Sequence, residues 1–166
     1  MVVIGIVAII TVLTLANYRG AEKRKRVQIA SETVKQALRS AQTFALTGRQ
    51  TNNPNANCRT PVYYMINFTY TNNFSIQAIN NCGTTDLIDT FNLPSQTRFL
   101  DQGLILGNSD ANDNLEIRFN LPNANITGRI DSQAIAPVSN ASLVLESDDG
   151  SINYPVTVNG TTGRID

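Results

Sequence analysis

The chain has 166 residues, with thirteen basic and thirteen acidic side chains, two cysteines and no histidine. Without histidine the Ser-His-Asp and Cys-His catalytic arrangements are excluded, and with only two cysteines besides so are the usual four-ligand structural zinc sites. The zero net charge conceals a division: residues 1–50 carry eight basic and two acidic groups and residues 51–166 carry five and eleven, so the front is at +6 and the remainder at −6.

The first sixteen residues, MVVIGIVAIITVLTLA, contain no charge and stop at Asn17-Tyr18-Arg19. As a helix they span roughly 24 Å, short of the roughly 30 Å of a hydrocarbon core. A signal peptide would need a basic region in front and a small-residue cleavage pattern behind, and neither is present. A helix apolar on every side needs protein or lipid all round it. Residues 1–17 are therefore expected to be a membrane or assembly segment, carried by Val2, Val3, Ile4, Gly5, Ile6, Val7, Ala8, Ile9, Ile10, Val12, Leu13 and Leu15. Gly5 and Ala8 are small enough to let a second helix approach closely. The shortness of the run suggests that the natural chain begins further upstream.

The basic cluster Lys23-Arg24-Lys25-Arg26 follows, and the helix is expected to run on through it. Between Ala21 and Leu46 there is no Pro or Gly, and Val27, Ala30, Val34, Ala37 or Leu38, Ala41 and Phe44 or Ala45 recur at steps of three and four. That spacing is one apolar stripe on a helix. Gly48 is placed to end it in a left-handed cap, giving an amphipathic segment over 18–48 and a helix of about 46 residues, near 70 Å long. The basic cluster suits lipid head groups, with a nucleic-acid phosphate backbone as the alternative.

Residues 49–166 read as a β domain. The polar stretch 50–60 leads into runs rich in Val, Ile, Tyr, Phe and Thr, with strands predicted near Val62–Thr69, Phe74–Asn80, Thr97–Asp101, Leu115–Leu121, Ile126–Ile130, Ala141–Ser147 and Ile152–Asn159. Thr162–Ile165 is a candidate for one more. Thr71-Asn72-Asn73 and Asp148-Asp149-Gly150 suit hairpin turns. The class is α+β: a long amino-terminal helix packed on a mainly antiparallel sheet domain of about 115 residues, enough for one core.

Cys58 and Cys82 bracket the first predicted hairpin, and an even pair suggests a disulfide and an oxidising compartment; two buried thiols in a cytosolic protein are the alternative. The positive-inside tendency would instead keep the basic cluster in the cytoplasm. A basic leader ahead of Met1 would remove the conflict. Asp110, Asn112, Asp113, Asn114 and Glu116 form the one dense oxygen-ligand cluster, a weak calcium candidate because Leu115 stands where an EF-hand loop needs Gly. No Walker or Rossmann glycine pattern occurs, and neither a cofactor nor a catalytic residue is expected. Five Asn-X-Ser/Thr sequons begin at Asn67, Asn73, Asn125, Asn140 and Asn159.

MVVIGIVAII resembles the interior of the amino-terminal signature of type IV pilins and pseudopilins, and Ala16-Asn17-Tyr18-Arg19 resembles the Tyr-bearing end of that family's apolar run. The register of Val27–Ser31 through Leu38–Ala45, the β-rich remainder and Gly163-Arg164-Ile165 are most similar to the GspH/FimT-like minor pilins and pseudopilins. The leader, the processing site and the glutamate of that signature would lie upstream of Met1, and the family's helix-bending Pro is replaced by Ala16. The resemblance implies a single-pass membrane subunit with an extracytoplasmic β domain, a cell-surface or periplasmic filament, and partners in other pilin or pseudopilin subunits, the inner-membrane assembly machinery and the bilayer. DNA uptake is the rival function, but the family's Gly-Arg-any-Arg pattern is here Gly163-Arg164-Ile165-Asp166, so Arg164 alone is left as a nucleic-acid contact in a domain at −6.

Overall fold

The computed structural model describes residues 2–107, 109–110, 114–131 and 133–166. It is α+β, with a single long helix, α1 (Val2–Thr47), a short 3₁₀ turn at Ala56–Cys58, and two antiparallel sheets. In chain order the strands are β1 (Pro61–Thr69), β2 (Asn73–Asn80), β3 (Thr85–Asn92), β4 (Thr97–Leu106), β5 (Ser109–Asp110), β6 (Asn114–Asn120), β7 (Asn125–Ile130), β8 (Ala136–Pro137), β9 (Asn140–Ser147) and β10 (Asn153–Asn159). The larger sheet has the order β3-β2-β1-β6-β7-β8 and the smaller β10-β9-β4-β5.

The expected stripe on α1 is the core of the molecule. Val27, Ala30, Val34, Ala37, Leu38, Ala41 and Ala45 are all fully buried, and the helix packs against β1 and β6 of one sheet and β4, β9 and β10 of the other. Small alanines on that face let the helix axis come close to both sheets, while Leu38 fills the space between. Where the sequence left Ala37 or Leu38 open, both are inside; of Phe44 and Ala45, Ala45 is buried and Phe44 packs at the margin. Gly48 adopts φ +61°, and the Arg49 amide donates to the Phe44 carbonyl at 3.2 Å, the six-to-one bond of a Schellman cap.

Strand alternation supplies the rest of the core. Tyr64, Ile66 and Phe68 of β1, Phe74 and Ile76 of β2, and Leu115, Ile117 and Phe119 of β6 point inward from the larger sheet, against Phe99, Leu143, Leu145, Val156 and Val158 from the smaller. The Phe68 ring lies 5.5 Å from that of Phe99, joining the two sheets edge to face.

Three strands were not predicted, and a fourth was cut short. β3 is an edge strand carrying Asp86 and Asp89, and its register shifts opposite Ile76 and Gln77, so neither hydrophobicity nor alternation marks it. β5 and β8 are two residues each, too short to carry a pattern. β4 runs on past Asp101 because the chain bulges between Phe99 and Leu104 and then rejoins β9. Gly103 permits this, since a Cβ there would sit 2.8 Å from the Leu100 Cβ. The candidate strand Thr162–Ile165 is reduced to one bridge, Val158 to Ile165.

Leu38→Ala is expected to cost about 2–5 kcal/mol because both sheets and the helix fix the cavity walls, whereas Leu46→Ala, at a side chain 59% exposed, should stay within about 0.5 kcal/mol. Urea denaturation of the two variants measures the difference; equal midpoints would mean that α1 does not belong to the core.

Candidate functional site

The carboxyl-terminal half of α1 belongs to the β domain, and the helix continues beyond it. From Tyr18 to Lys25 the side chains are exposed apart from a half-buried Lys23, with Tyr18 at 71%. Of the residues expected to form the membrane or assembly face, Val3 is 72% exposed. The side chains of Val2, Ile4, Gly5, Ile6, Val7, Ala8, Ile9, Ile10, Val12, Leu13 and Leu15 lie outside the described residues. Among the described residues no helix is long and apolar enough to cross a membrane.

Two basic residues tie the helix to the domain where it emerges. Lys23 forms an ion pair with Asp149, and the Arg26 guanidinium donates to the Ser95 hydroxyl at 3.2 Å and the Gln96 side-chain oxygen at 3.1 Å, while pairing with Glu22 at 2.6 Å. Asp149 sits in the tight turn between β9 and β10, where Ser147 and Ser151 also donate to it at 2.6 and 2.8 Å. The Lys23 ammonium, then these hydroxyls, hold the Asp149 carboxyl well below the usual carboxylate range. Asp148-Asp149-Gly150 thus makes the expected hairpin turn and also clasps the helix, a role that turn chemistry alone does not reveal. A second clasp lies further up, where Arg39 donates to the Ile165 carbonyl and Gln42 to the Gly163 carbonyl, both at 3.1 Å.

At the other end, Cys58 and Cys82 form a disulfide with Cα atoms 5.3 Å apart, joining the segment after α1 to the β2–β3 turn. Closing a loop of this size stabilises by about 3.5 kcal/mol in the chain-entropy picture. Beside it, Asp86 accepts from the Asn53 and Asn80 amides at 3.0 and 3.1 Å. The Thr51 hydroxyl, then Asn80 and Asn53, hold Asp86 below its ordinary range, with burial acting in the opposite direction. The Tyr64 hydroxyl donates to the Arg49 carbonyl, and burial raises its pKa despite the nearby Arg49 charge.

The calcium candidate is not brought together. Glu116 is 2% exposed and its carboxylate is occupied by Arg118 and by Arg129, the latter at 2.8 Å. Asn112, Asp113 and the Asp110 side chain lie outside the described residues, and among the described residues no group of Cys, Asp or Glu side chains could hold a metal ion. Arg164 is exposed, but its guanidinium pairs with Asp166 at 2.7 Å. Both border an open groove of about 570 Å³ over β9 and β10, floored by Ala141, Ser142 and Thr157. Opposite charges cancel there, which leaves no attraction for a phosphate backbone.

No protein-family model matches the chain, and neither does a characterised protein or a solved structure.

The clasp gives a pH test. Because the folded Asp149 lies below the unfolded value of about 3.9, its stabilisation is present in full above that value and is lost as pH falls towards the folded pKa. The stability difference between the wild type and Asp149→Asn is expected to shrink between about pH 5 and about pH 2. Parallel stability curves in acid denaturation would show that the pair contributes nothing.

Proposed function

We propose that this chain is the structural subunit of a filament of the type IV pilus or type II secretion kind, anchored and assembled through the amino-terminal half of α1. One observation carries the reading: a single 46-residue helix is divided between two roles. Its second half is the buried core of the β domain, and its first third lies ahead of the domain's contacts with the helix, where the sequence is apolar all round. A segment of that composition needs a non-aqueous neighbour, and packed helices or lipid each supply one. The resemblance of residues 1–48 to the pilin signature agrees with this.

The Cys58–Cys82 bond supports an extracytoplasmic β domain. The reading requires no catalytic residue. It places the chain with other pilin-type subunits, the inner-membrane assembly machinery and the bilayer. The DNA-uptake alternative is disfavoured by the Arg164–Asp166 pair. A membrane-anchored surface β domain that never polymerises is the other alternative, and the following experiment separates it.

A photo-crosslinking residue is placed at Val3 of the full chain in its own cells, with the same residue at Leu87, 66% exposed on the far edge of β3, as the comparison. Crosslinks from Val3 to the amino-terminal helix of a second subunit, in a fraction that contains filaments by electron microscopy, are expected. Val3 crosslinking to lipid alone, with no filaments, would leave the monomeric anchored domain as the account.

A further inference from the structure

Five cations lie within one short stretch of α1, and the fold does not use them alike. Lys23 and Arg26 are turned into the domain, on Asp149 and on Ser95 and Gln96. Arg19, Arg24 and Lys25 are exposed, and among the described residues none of the three has a hydrogen bond, an ion pair or a ring contact. At about 100° per residue, Arg24 lies about 140° round the helix from Arg19, Lys25 about 100° further, and Arg19 about 120° beyond that. The free cations therefore encircle the helix at nearly even spacing, within about 9 Å of its length.

That arrangement selects its partner. A linear polyanion lying along a helix needs cations on one face, and on the face that offers them in register, Arg19, Lys23 and Arg26, the last two are taken by the β domain. A ring suits a helix passing through a planar sheet of negative charge. Tyr18 stands 71% exposed immediately before the ring, between it and the apolar run, the position an aromatic side chain favours at a membrane interface.

Building on the membrane-anchored reading above, we infer that Arg19, Arg24 and Lys25 form a collar for anionic phospholipid head groups. Lys23 and Arg26 are withheld from the lipid to set the β domain directly above that surface. The turn holding Asp149 lies level with the collar, so the domain rests on the bilayer through the end formed by residues 93–97 and 148–151. Asp148, exposed on that turn, opposes the attraction. It is outnumbered by the three free cations.

The test measures how the full chain divides between phosphatidylcholine vesicles and vesicles that also contain phosphatidylglycerol, at low salt. Because both vesicles accept the apolar helix, the ratio isolates the head-group contribution. The triple variant R19Q/R24Q/K25Q is expected to lower the preference for anionic vesicles by roughly a hundredfold, about fivefold for each cation. K23Q/R26Q is expected to lower it less than fivefold, with thermal unfolding confirming that both variants fold. An unchanged ratio in the triple variant, or an equal loss in K23Q/R26Q, would overturn the collar. Duplex DNA bound through the same three residues more tightly than the anionic vesicles would overturn it in favour of nucleic acid. Failure of the wild type to enter either vesicle would instead remove the membrane-anchored reading on which the collar rests.

Discussion

The structure depends on burying one narrow helical stripe against two sheets at once. Val27, Ala30, Val34, Ala37, Leu38, Ala41 and Ala45 have no exposed surface, and without them the inner faces of β1, β6, β9 and β10 would lose the element that lies against them. The sheets do meet directly, through Phe99 against Phe68 and Phe74 and where β4 lies against β6 and β7. Elsewhere it is the helix that completes the core. Alanine dominates the stripe because a larger residue would push the helix away from one sheet or the other, so close packing has been obtained with little side-chain bulk.

This constraint also explains how an exposed half-helix can be held at a defined angle. A helix that is core for its last five turns cannot rotate or slide without dismantling the domain, so its direction is set before the chain leaves the β sheets. The clasps at Lys23–Asp149 and Arg26–Ser95/Gln96 then fix the point of emergence. The Arg39 and Gln42 bonds tie the carboxyl terminus to the same helix, so both ends of the chain converge on one element. In the filament reading this makes the helix a rigid stem, and a force applied to its free end is borne by the whole core. The disulfide and the Asp86 network brace the far end, where the chain leaves the helix through an irregular segment with few apolar side chains.

Much of this was legible in the residues. The stripe, the Gly48 cap, seven strands and the hairpin turns follow from local spacing, because each depends on a periodicity or a turn residue within a few positions, and the Cys58–Cys82 pairing follows from there being only two cysteines. What escaped depends on contacts between distant segments. β3 is a strand because β2 offers it an edge, although its own residues alternate poorly around Asp86 and Asp89. The second half of β4 is recognisable only once β9 is alongside. Glu116 stood out as an oxygen ligand in a turn-like run, but it lies within β6, where Arg118 and Arg129 enclose it. The partition of the basic cluster into clasped and free cations was equally hidden, since it depends on which side of the helix the β9–β10 turn occupies.

The central claim is that one uninterrupted helix serves both the core and the exposed stem. It is tested most directly by the distance between spin labels at Val3→Cys and Gln36→Cys, two exposed positions on either side of the point of emergence, measured by pulsed electron resonance with the Cys58–Cys82 bond intact. At about 1.5 Å per residue the separation should be about 50 Å, with a single narrow distribution. A broad distribution, or a separation well below that length, would mean that the helix bends or breaks at the domain boundary and that the stem is not an extension of the core.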